Sequence, residues 1–98
     1  MELSPIRASQ ILVELSSLLG NIGVEIIEAQ LTYNKVLLLE LDEDQTASKA
    51  KIRAEVTEEY MRLQQAKNTQ TVAVEMMRGI KYFLKTAQED RFYSKEQV

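Results

Sequence analysis

The chain has 98 residues and a net charge of −3, with no cysteine, histidine or tryptophan. This inventory excludes disulfides, Cys/His zinc sites, thiol nucleophiles and histidine-based triads. Hydrophobic residues at 45% and charged residues at 28% fit one ordinary globular domain, not a disordered chain. A domain of this size buries only about 60–65% of its unfolded surface, so a partner that covers more would add to its stability.

The first predicted element starts at Ser4-Pro5, a capping residue followed by a proline suited to the first helical position. From there the apolar residues fall into two adjacent rows of period seven. Ala8, Leu15, Ile22, Ala29 and Val36 form one, and Leu12, Leu19, Ile26 and Tyr33 the other. Gly20 and Gly23 lie inside the pattern at a cost of about 1 kcal/mol each relative to alanine. The apolar phase crosses them without slipping, which predicts one helix over about 5–41 with a possible kink at 20–23. The stretch Asp42-Glu43-Asp44-Gln45-Thr46 has no apolar residue and is the expected turn, with Asp44 or Thr46 as the next cap.

A second helix is predicted over about 47–92. Its seam is Val56, Leu63, Gln70, Met77 and Leu84 beside Ile52, Glu59, Ala66, Ala73, Ile80 and Ala87, with a kink possible at Asn68–Thr71. The expected fold is all-α: a long antiparallel helical hairpin, coiled-coil-like, in one domain over 1–98. An apex near Asp44 makes facing residue numbers add to about 88, pairing Val36 with Ile52 and Leu15 with Ala73.

Helix one carries more apolar surface than one partner helix can cover. Beyond its seam lie Ile6, Val13, Ile27 and Leu41, and Val24, Leu31 and Leu38. A helix apolar on most sides is buried on most sides. The expectation is a homo-oligomer, simplest as a dimer that completes a four-helix bundle, with Val13, Val24, Ile27, Leu31, Leu38 and Leu41 at the interface. A fold of three or four shorter helices within one chain is the competing solution.

Residues 1–44 carry −6 and residues 45–98 carry +3. Antiparallel neighbours with complementary surfaces account for this. Carboxylates recur at helical spacing, Glu25 with Glu28 and Glu55 with Glu58 and Glu59. Such pairs on facing helices can hold magnesium, but the Glu-x-x-His of di-iron sites is excluded, and the same spacing is ordinary on a solvated helix. Gly20-Asn-Ile-Gly23 lacks the lysine and the strand of a phosphate loop. No catalytic residue, metal ligand or cofactor is assigned. Arg78, Lys81 and Lys85 share one helix face with Tyr82 beside them. This face is either solvated and paired with the acidic half, or it binds single-stranded nucleic acid weakly, or it meets an acidic protein. The longest uncharged run of helix one, Leu15–Val24, is far short of the ~20 residues that span a bilayer. With no targeting segment visible, a cytoplasmic protein that does not engage membranes is expected.

Tyr33 and Lys35, the acidic turn, Ala50 and Ala54, Glu58-Glu59-Tyr60, Ala66, Arg78-x-x-Lys81-Tyr82-x-Leu84 and Glu89 together resemble small all-helical phage and prophage proteins encoded among recombination and replication genes. The resemblance covers about residues 28–92. It implies a non-enzymatic accessory role near DNA, as an oligomer and within a recombination or replication complex, and transfers no catalytic residue. Two other functions fit the residues: a small acidic phage inhibitor of a host DNA-binding or defence enzyme, and a metal-dependent all-α nucleotide pyrophosphohydrolase-like enzyme.

Overall fold

The computed structural model describes residues 3–43 and 46–96, with side chains described as far as Asp90. It is an all-α hairpin. Helix α1 spans Pro5–Glu43, α2 Ala47–Ala54 and α3 Glu58–Glu96. The Ser4 hydroxyl accepts the Arg7 backbone N–H at 3.1 Å, so the start of α1 is capped by its own side chain. Helix α1 runs unbroken through Gly20 and Gly23. At 39 residues it is about 58 Å long, and the molecule measures 75 × 21 × 20 Å. Asp44 and Gln45 lie outside the described residues. Thr46 precedes α2 but makes no side-chain capping bond.

The second half departs from the expected single helix. It breaks at Glu55–Thr57 and runs straight through Asn68–Thr71. Thr57 is the cause of the break. Its hydroxyl lies 2.6 Å from the Ala54 carbonyl and accepts the Tyr60 backbone N–H at 3.3 Å. It ends one helix and caps the next, and Glu58 and Glu59 then sit in the positive first turn of α3. At 68–71 the hydroxyls of Thr69 and Thr71 donate to carbonyls one turn back, at 2.8 and 3.1 Å, and the helix absorbs them.

The break also moves the register. Tyr33 meets Tyr60 with ring centroids 5.4 Å apart, and Ala29, Tyr33, Ala54 and Leu63 form the main core cluster. Facing numbers along α1 and α3 therefore add to about 92 rather than 88, because residues 55–57 turn without advancing as a helix would. Ile52 and Val56, expected in the seam, are 66% and 80% exposed. The inward face of α2 is instead Ala50 and Ala54. Beyond the break the expected seam faces α1: Leu63, Ala66 and Ala73 are buried, with Met77, Ile80, Leu84 and Ala87 half-buried.

The core is thin. Among the described residues, six of the nine that are buried are alanines, and Leu63 is the largest side chain that is fully enclosed. Alanine lets helices approach closely but brings little apolar area, and a buried leucine contributes about 1.5–3 kcal/mol. The radius of gyration is 21.3 Å, against about 13 Å for a compact domain of this length.

Candidate functional site

The largest feature of the surface lies on the side of α1 turned away from α3. Ala8, Leu15, Ala29 and Tyr33 are buried inward. On the opposite side Ile6, Val13, Val24, Ile27, Leu31, Leu38 and Leu41 are all exposed. The six residues expected at an oligomer interface thus share one solvent-facing stripe that extends almost the length of α1. Its spacing alternates four and three residues from position 6 to position 41, the geometry of a coiled-coil seam. Gln10, Ser17, Gly20 and Asn34 also belong to it. The outward residues of α3 include exposed Met61, Val72 and Met76, but Gln65, Asn68 and Thr69 interrupt that row.

The glycines support the same face. A methyl group added at Gly20 or Gly23 would meet nothing within 4 Å. The cost of placing glycine in the helix is offset by no contact inside the protomer.

Charged residues frame the hairpin elsewhere. Arg62 on α3 donates from Nε to Glu25 at 2.7 Å, and its guanidinium lies 3.8 Å from Glu28. The bond from Arg62 holds the Glu25 carboxyl below its ordinary range and keeps the guanidinium charged. Two carboxylates that could have served a metal ion therefore converge on an arginine. Among the described residues no group of three or more potential ligands could hold a metal. Tyr33, packed against Tyr60, has its phenol pushed up, first by burial and then by the negative charge of Glu55.

The basic face lies just past the midpoint of α3, toward the open end of the hairpin, where Leu84, Ala87 and Gln88 line a groove with Pro5, Ile6 and Ser9. Arg78, Lys81 and Lys85 are exposed, and Tyr82 is 73% exposed. Arg78 is paired with Glu75 at 2.8 Å. No ion pair among the described residues involves Lys81 or Lys85.

Sequence reasoning missed the bridge from Arg62 to Glu25 and Glu28. Its signal was the placement of those acids about one helical turn apart, and the expected register already set Arg62 opposite them. No family model matches the chain, and no curated protein or solved structure matches it. Among the described residues α1 is long and apolar enough to cross a membrane. Its apolar surface is flanked, however, by the charged and polar row Arg7, Glu14, Asn21, Glu28, Lys35 and Asp42, every member of which is exposed.

Proposed function

We propose that the protein is a non-enzymatic helical interaction protein. It assembles as a homodimer through the outer face of α1, completing a helical bundle, and serves as an accessory factor in phage DNA recombination or replication. The observation that carries the assembly is the exposed stripe along α1, with large apolar residues at seven of its eleven positions. The accessible surface is 7713 Å², about 2,000 Å² more than the ~5,700 Å² of a compact monomer of 11.2 kDa. That surplus exceeds the ~800 Å² each partner gives to an ordinary interface. A lipid-embedded helix is apolar all round, whereas α1 carries an exposed charged and polar row along its length between its apolar faces, the pattern of a helix meeting other helices. The accessory role is supported by the resemblance over residues 28–92. The hydrolase alternative loses support because Glu25 and Glu28 are engaged by Arg62.

Light scattering at micromolar concentration tests the assembly. The wild-type chain should scatter as two copies of 11.2 kDa. Leu31→Glu, which disturbs no buried contact in the protomer, should scatter as one copy with its helical circular dichroism retained. A single-copy mass for the wild type overturns the reading.

A further inference from the structure

The outer stripe of α1 has two unlike margins. On one side of the seam runs the row Arg7, Glu14, Asn21, Glu28, Lys35, Asp42. On the other runs Ser9, Ser16, Gly23, Gln30, Leu37, which carries no charge. In a parallel pair of helices each margin meets the opposite margin of its partner, so charges would face serine, glycine and glutamine. In an antiparallel pair like meets like, and the charged row faces itself in reverse.

Reversal makes the row complementary to itself. Arg7 falls opposite Asp42 of the other copy, Glu14 opposite Lys35, and Asn21 opposite Glu28, so that facing numbers add to 49. A slip of one heptad either way destroys the match. One slip sets Arg7 against Lys35 and Glu14 against Glu28, and the other sets Glu14 against Asp42 and Glu28 against its own copy.

The seam agrees with this register. Its layers are then pairs whose numbers add to 51. Val24 packs on Ile27, Val13 on Leu38, and Gly20 on Leu31, so the smallest residue receives a large one. Ser17 falls opposite Asn34, which pairs two polar members of the stripe, while Gln10 falls opposite Leu41 near the end of the pair. All of these positions are exposed in the protomer, or, at Gly20, leave open space beside them.

We infer that the occupant of this face is a second copy of the chain, with the two α1 helices antiparallel, centred near residue 25, in the single register set by the Arg7–Asp42 and Glu14–Lys35 pairs. The inference rests on the dimer reading above and adds its orientation and register. Each α3 then lies on the outside, and the acidic apex of one protomer runs alongside the open end of the other, which carries the basic face of α3.

The chain has no cysteine, so single thiols report the orientation cleanly. Scattering is measured first, then a short thiol-to-thiol crosslinker is applied to Val24→Cys and Leu38→Cys, both at exposed positions. Position 24 lies near the two-fold axis and should crosslink. Position 38 should not, because its counterpart lies about 37 Å away, 25 residues along the helix. A dimer crosslinked at both positions overturns the antiparallel arrangement while leaving the dimer intact. A dimer crosslinked at neither overturns the choice of face. A monomer overturns the dimer reading itself.

Charge reversal tests the register. Lys35→Glu and Glu14→Lys should each weaken dimerisation about tenfold, since each places like charges together twice per dimer, and the double variant should return to within about threefold of wild type. Additive losses in the double variant overturn the register.

Discussion

Tyr33 is the residue on which the closed end of the hairpin turns. It is 8% exposed, packs on Tyr60, and belongs to the cluster with Ala29, Ala54 and Leu63. Burial and the nearby Glu55 both oppose the phenolate, so its folded pKa lies above its unfolded value. The sign follows from linkage. The neutral phenol stabilises the fold fully below the unfolded pKa near 10, and that contribution is lost as pH rises through the higher folded value. Tyr33→Phe should extend the stable range upward, read as a higher alkaline midpoint for loss of helical circular dichroism. An unchanged midpoint would mean that the Tyr33 phenol packs more loosely than its burial implies.

The same chain shows what apolar phase reveals about an element and what it conceals. In α1 the phase passes Gly20 and Gly23 unchanged and the helix is unbroken. In the second half the phase passes Val56 and Thr57 just as smoothly, yet the helix ends and restarts there. Phase records which face is apolar. It does not record the three-residue turn, which leaves Ala50 and Ala54 of α2 facing inward and Ile52 and Val56 outward. The local signal was Thr57-Glu58-Glu59, a cap with acids behind it, and reading it would have corrected the register that sets Tyr33 on Tyr60. The outer stripe was legible because its rows exceed what one partner needs. Its orientation was written in a different place, the order of charges along one margin. Gly20 belongs to both stories. Replacing it with alanine should stabilise the isolated helix by about 1 kcal/mol, since the added methyl meets nothing in the protomer. In the proposed dimer the same methyl would intrude where Leu31 of the other copy closes in. Gly20→Ala should therefore raise the melting temperature of a monomeric Leu31→Glu background and weaken association of the otherwise wild-type chain. A gain in both would remove the close approach at Gly20.

At the scale of the whole molecule, the proposed antiparallel dimer would decide what the basic faces can do. Residues 78–85 lie behind the first turns of α1, so the two copies of the face stand near opposite ends of the central helix pair, about 45 Å apart by helical rise. Lys81 and Lys85 are exposed, Arg78 shares its charge with Glu75, and Tyr82 offers a ring for a base to stack on. Three phosphate contacts per face give weak binding of single strands, with a log–log salt slope of about −2. Stacking on Tyr82 adds roughly 1–3 kcal/mol. An oligonucleotide too short to reach between the faces should bind each independently and keep that slope. One long enough to bridge them should bind more tightly, as the second contact becomes intramolecular, with a slope approaching about −4. Fluorescence anisotropy on labelled strands of increasing length, starting at about 50 mM salt, reads both quantities. The Arg78→Glu, Lys85→Glu double variant should lose binding at every length, and Leu31→Glu should lose only the length dependence. Absence of signal at about 100 µM protein, within the ordinary range of non-specific affinity, or equal signal from the charge-reversed variant, would reduce the stripe to a solvated helix face. Retained length dependence in a monomeric Leu31→Glu chain would show instead that strands track along α3, independent of the second copy.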